Sequence, residues 1–261
     1  MLRCTRNMEA SRTVQDVSRV NPHQGGKEMK KVLILLVAAA LLASPAFGAV
    51  RNSKHDLSSS STGASIKSDN VDEVCVFCHT PHAGITGKLA PLWNRTAAST
   101  TLNATDLYNS VTLEAGSKPS AVSTEVNNSD APLCLSCHDG ASLAGGLANP
   151  PASNGNNQPT FTGTDTVTGD ADIMDGTAAL TNDHPIGMDY SVVDGTDNGG
   201  ASFQDESGTA PNLKVGSLPL YGTNGVMWCS TCHDVHNEGA GQPFLNISNA
   251  GSALCTTCHV K

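Results

Sequence analysis

Cys75-Val76-Phe77-Cys78-His79-Thr80-Pro81-His82 sets two thiols and two imidazoles within eight residues, and its first five positions recur as a device along the chain. Cys134-Leu135-Ser136-Cys137-His138, Cys229-Ser230-Thr231-Cys232-His233 and Cys255-Thr256-Thr257-Cys258-His259 complete a set of four C-x-x-C-H motifs. Two thiols three positions apart can form thioethers to the two vinyl groups of one porphyrin, and the histidine after them then lies beneath the iron as its proximal ligand. The motifs therefore predict four covalently attached c-type haems, with His79, His138, His233 and His259 as proximal ligands. Disulfides or zinc half-sites are the plainer readings of paired cysteines, but neither explains a histidine after every second cysteine.

Composition agrees with a fold that leans on something other than side chains. Only 10 of 261 residues are Phe, Tyr or Trp, while Gly and Pro total 38, which leaves little material for a broad aromatic core. The balance of 15 Lys+Arg against 24 Asp+Glu disfavours DNA or RNA as partners, because neutralising phosphates needs clustered cations.

Met29-Lys30-Lys31, the apolar run Val32 to Leu42, and Ser44-Pro45-Ala46-Phe47-Gly48 read as a secretory signal peptide over 29–48, cleaved after Gly48. The apolar run is too short to span a bilayer, so no transmembrane segment is expected to remain. Residues 1–28 are polar, without periodicity, and hold the lone Cys4. Gln24 to Glu28 can be encoded by a purine-rich ribosome-binding run, so translation is expected to start at Met29, with 1–28 a misassigned extension. The mature chain, 49–261, is then a single tetrahaem domain with 8 Lys+Arg against 21 Asp+Glu. Its compartment is periplasmic or extracellular.

The mature chain has eight histidines. Four are proximal ligands, and His55, His82, His184 and His236 match the remaining axial positions of four six-coordinate irons. His82 and His236 each follow a proximal histidine by three residues, which on a helical turn places both imidazoles on one face. Such a neighbour is too close to serve the same iron but can reach that of an adjacent haem. Packed haem pairs are therefore expected around His79 and His82 and around His233 and His236. His184 precedes Pro185, which favours extended backbone and a loop position. Met188 offers a thioether as a competing ligand, but the count favours His184 and leaves Met188 to pack on a porphyrin edge. His55 lies near the mature N-terminus, where a ligand needs something to tie it down.

Elsewhere the chain reads as loop. Short helices are expected over Thr105–Leu113 and in the segments leading into Cys134 and Cys229, and a small hairpin around Tyr190–Val193. The fold class is a multihaem cytochrome c, mostly loop with short helices wrapped around a stack of four haems and little regular strand. The porphyrins supply much of the core, with Trp93, Trp228 and Phe244 covering them.

Cys75 to His82 followed by Ala90-Pro91-Leu92-Trp93-Asn94-Arg95, the His184 to Met188 segment, Cys229 to Asn237, and the terminal Cys255 to His259 resemble the outer-surface tetrahaem cytochromes of metal-reducing bacteria, the OmcE-like group. The resemblance implies an electron carrier, not an enzyme, with other multihaem cytochromes or extracellular acceptors as partners, and assembly into an extracellular cytochrome filament. In such a polymer His55, at one end of the chain, is expected to ligate a haem of the adjacent subunit, since His259 closes the other end. A soluble periplasmic shuttle shares the same haem chemistry. A haem reductase would need one iron left without a second histidine. Intact-mass measurement of the secreted protein should find a chain beginning at Ala49 and heavier than its peptide by about four times 616 Da, the estimate for four covalent haems. Three or fewer haems on fully matured protein would defeat the assignment.

Overall fold

A computed structural model of the chain describes residues 50–96, 102, 106–108, 129–174, 180–181, 183–192, 203–237 and 244–260. The expected leader over 29–48, the expected start at Met29 and Cys4 lie outside these residues, as does most of the helix expected over Thr105–Leu113. Among the described residues no helix is long and apolar enough to cross a membrane.

Loops dominate, and the helices coincide with the cysteine motifs. Helix α1 (Ala131–His138) carries the second motif, α2 (Cys229–Cys232) the third and α3 (Ala253–Cys258) most of the fourth, while the first lies on a 3-10 turn, Val74–Phe77. Helix α1 opens with Pro132 in its first turn, where the missing amide costs nothing, and the Ser129 hydroxyl accepts the Ala131 amide at 3.1 Å. Helix α2 starts where the Trp228 amide donates to the Thr231 hydroxyl at 3.0 Å.

The helix expected before Cys229 is instead a strand. Val226–Met227 (β5) pairs antiparallel with Met188–Asp189 (β1), Met188 opposite Met227. Sequence separation hid this pairing, which joins segments with no local pattern between them. Likewise the hairpin expected around Tyr190–Val193 is a 3-10 turn over Tyr190–Val192, since β1 finds its partner far along the chain. A separate three-stranded meander comprises β2 (Glu206–Ser207), β3 (Lys214–Val215) and β4 (Leu218–Pro219).

Side chains supply more core than composition implies. One cluster joins Leu102, Leu107, Ala131, Leu135, Leu180, Val226 and Trp228. A second gathers Met188, Tyr190, Leu213, Val215, Leu218, Leu220 and Met227, and a third Val71, Val76, Phe77 and Leu147. Met188, expected on a porphyrin edge, sits in the second cluster, against which Cys258 of the fourth motif also packs, and Trp228 sits in the first.

Asn94 fastens the first motif from within. It is fully buried; its Nδ2 donates to the carbonyls of Val76 (2.7 Å) and Asn149 (3.1 Å), and its Oδ1 accepts the Asn149 amide at 2.9 Å. Asn94→Ala removes the partner of one buried and two half-buried backbone groups and should lower stability by about 2 kcal/mol. Denaturant unfolding of the holoprotein measures it, and a loss below roughly 0.5 kcal/mol would contradict the role given to Asn94.

Candidate cofactor-attachment centre

Each motif is wound into one turn. The proximal-histidine amide donates to the carbonyl of the first cysteine in His79–Cys75 (2.8 Å), His233–Cys229 (3.0 Å) and His259–Cys255 (2.8 Å), and α1 runs through the second motif. Closing that bond puts positions three and four apart on one face, so both sulfurs and the imidazole converge. All eight cysteines of the motifs are free thiols, with no disulfide among them.

After three of the histidines the turn stops. His79, His233 and His259 each form an isolated antiparallel bridge, to Trp93, Leu245 and Phe203 respectively, and His233 is fully extended at φ −116°, ψ 139°. The helical turn expected to carry His82 and His236 is therefore absent. Pro81 restricts Thr80 to extended backbone, and His82 lies in the bend that follows.

The first and third motifs share a supporting segment that the sequence reading missed. Asn94 and Asn246 donate their backbone amides to the carbonyls of Cys78 and Cys232, both at 2.8 Å, and their side-chain Nδ2 atoms to those of Val76 and Ser230 at 2.7 and 2.8 Å. Thr80 and Asp234 donate in turn to Leu92 (2.9 Å) and Phe244 (2.8 Å), which both take left-handed backbone, φ 53° and 55°. The signal was present as Pro91-Leu92-Trp93-Asn94 and Pro243-Phe244-Leu245-Asn246. It is two instances of proline, two apolar residues and asparagine after C-x-x-C-H-x-x-H.

The histidines face one another in defined couples. Ring centres lie 6.0 Å apart for His55 and His138, 6.2 Å for His79 and His236, and 6.4 Å for His184 and His259. A metal–imidazole bond is about 2 Å and a ring centre lies about 1.2 Å behind its ligating nitrogen, so two imidazoles on one iron have centres roughly 6.3 Å apart. The three couples fit that separation, and each joins a proximal histidine to one of the four spare ones. His82 and His233 remain, one of each kind. The histidine three residues after the third motif thus lies against the proximal histidine of the first, in keeping with a neighbour that reaches beyond its own motif.

Backbone carbonyls set the ring tautomers. Nδ1 of His79 meets the Pro91 carbonyl at 2.7 Å, Nδ1 of His138 that of Ala171 at 2.6 Å, and Nδ1 of His184 that of Pro185 at 3.1 Å. Donation from Nδ1 leaves the Nε2 lone pair for a metal, the arrangement that orients ligating histidines generally. His236 holds Nδ1 3.4 Å from the Asp234 carboxylate.

His55 is tied down despite its place near the expected mature N-terminus. The fully buried Asp56 carboxylate accepts the amides of Asn52 (2.6 Å) and Ser58 (3.1 Å) and the Ser58 hydroxyl (2.6 Å), while the His55 amide donates to the Ser53 hydroxyl at 3.1 Å. Its ring stands edge-on to Phe244 at 4.5 Å, so Phe244 covers a histidine. Burial first, and then His138, His233 and His236, push the His55 pKa down to about 4. It is therefore neutral at pH 7, the form that coordinates metals. The ring opposite it, that of His138, belongs to the same chain.

Burial raises the Cys78 thiol to about 12 and Cys232 to about 11, and raises Cys137 and Cys258 as well. Asp130, Cys134 and Cys229 bring their ligand atoms within 4.8 Å of one another, a grouping open to a metal ion. Cys134 is nonetheless pushed up, first by a hydrogen bond with Cys229 and then by burial, and such a thiol resists becoming the thiolate that zinc requires. The contact joins the second and third motifs sulfur to sulfur.

A family model describing a doubled CXXCH motif matches residues 223–261, the stretch with the third and fourth motifs. No curated protein matches the chain. The match marks this region as haem-binding and of the multihaem c-type cytochrome kind, whose work is electron transfer.

Proposed function

We propose that the protein is a tetrahaem electron carrier whose irons are each held by two histidines. The observation that carries this reading is the set of three histidine couples at the separation a shared iron imposes. Cys75 and Cys78, Cys134 and Cys137, Cys229 and Cys232, and Cys255 and Cys258 would each hold one haem through thioethers. His79 with His236, His138 with His55, and His259 with His184 would offer nitrogen ligands to three irons, and His82 with His233 would serve the fourth by elimination. A haem so held supplies reversible one-electron Fe(III)/Fe(II) exchange.

The chain's own part is positioning and electrostatics. The carbonyls of Pro91, Ala171 and Pro185 accept Nδ1–H and so keep three ligands oriented and electron-rich. Asp234, beside His236, favours the oxidised iron through its negative charge. With both axial positions filled, an iron has no open site for a substrate, which speaks for a carrier over a reductase.

The reading extends to work outside the inner membrane, supported by the leader at 29–48, and to delivery of electrons to other multihaem cytochromes or extracellular acceptors. Head-to-tail assembly into a filament belongs to it on the strength of the resemblance. The 6.0 Å between His55 and His138 of its own chain supports ligation within the chain over the bridge to an adjacent subunit.

His236→Ala should leave four haems attached, because attachment uses the cysteines, while opening the iron above His79. The expected result is a high-spin ferric component and binding of one carbon monoxide per chain, read by visible and resonance Raman spectra. His184→Ala should do the same at the haem above His259. A mutant that stays wholly low-spin, with no replacement ligand detected, would count against that couple.

A further inference from the structure

Arg95 is a buried cation that the histidine and cysteine chemistry does not use. It is 3% exposed, in a mature chain with few basic residues. Its Nη2 donates to the Ser136 carbonyl at 3.1 Å, inside the second motif, while its own backbone bridges Leu147 and directly follows the Asn94 that fastens the first. Nε and Nη1 are buried and meet no acceptor among the described residues. The guanidinium lies close against Gly146, where an added Cβ would come within 2.5 Å of Nη2 and 2.8 Å of Cζ. A side chain at 146 would displace it, so glycine keeps the cradle open.

A guanidinium stays charged at any pH a protein survives, and burying it without an anion is strongly unfavourable. Nη2 alone is satisfied by a neutral carbonyl. The remaining N–H bonds call for an oxygen anion, and their geometry suits a carboxylate. Arg95 stands near Cys78 and Cys137, where its charge works against the effect of burial on both thiols. That places it between two attachment points, and since a porphyrin carries its pair of propionates on the edge away from its vinyl groups, the carboxylate within reach of Arg95 is that of a haem whose vinyl edge lies elsewhere.

We infer that Arg95 binds a haem propionate at the junction of the first and second attachment motifs, through Nε and Nη1. The inference rests on the tetrahaem reading and adds to it a positioning residue that fixes one porphyrin and sets its potential. A positive charge beside a haem stabilises the ferrous state, so its removal lowers that haem's potential and also leaves a propionate charge uncompensated.

The test uses the matured holoprotein as wild type, Arg95→Lys and Arg95→Gln. Intact mass and a low-spin spectrum first establish that four bis-histidine haems are present, and failure there sinks the tetrahaem reading itself. With that met, Arg95→Gln should lower one haem potential in a spectroelectrochemical titration and leave the other three unchanged. A change of about tenfold in the ferric-to-ferrous ratio at fixed potential corresponds to roughly 59 mV for one electron. Arg95→Lys keeps the charge but not the planar donor array, so it should restore most of the potential while shifting the propionate bending band in the resonance Raman spectrum. Four unchanged potentials and unchanged propionate bands in Arg95→Gln would overturn the inference and leave Arg95 a packing residue. If Arg95→Gln does not mature, Arg95→Lys decides alone: a shifted propionate band supports the pairing, and a wild-type band refutes it.

Discussion

The bond from the proximal-histidine amide to the carbonyl of the first cysteine is the constraint on which the site depends. Seen directly at His79, His233 and His259, it turns five residues of chain into a rigid three-pronged holder of two sulfurs and a nitrogen. Everything after it must leave the helix. His79, His233 and His259 do so at once, by bridging an extended neighbour, and that neighbour then becomes part of the support. The loops are long because each must return to the turn it supports, rather than run on to the next element.

Side-chain amide groups bear much of this load. Asn94 and Asn246 each clamp a motif through both backbone and side chain, on a segment whose preceding residue, Leu92 or Phe244, adopts a conformation that glycine would hold more easily. A large apolar side chain there, despite the strain, places bulk next to the ligands: Phe244 covers the His55 ring. Conformational cost is accepted at the position where coverage is needed.

The C-x-x-C-H motifs, the loop-rich architecture and the set of candidate histidines were legible because each is a local pattern of residue types. The partnerships were not. Nothing near Cys78 indicates that His79 faces His236, since the couple joins segments from opposite ends of the chain and no periodicity spans them. Helical spacing suggested a shared face for His79 and His82, but Pro81 sits between them and redirects the backbone. Met188 carried a ligand's chemistry, yet its strand pairing with Met227 fixed it among aliphatic side chains. The two proline-to-asparagine segments were readable as a repeat, but only the hydrogen bonds reveal what they repeat for.

The couple of His79 and His236 also orders events in time. If the chain is exported as proposed, it emerges from its N-terminal end, so Cys75, Cys78 and His79 would reach the new compartment well before His236. On the proposed reading the first iron waits with one axial position filled by something temporary, and closes only when the third motif has arrived and folded. Maturation is then a latch thrown late: the earliest cofactor attached is among the last to become inert, and a chain cut short after the second motif would carry a haem open to whatever small molecule surrounds it.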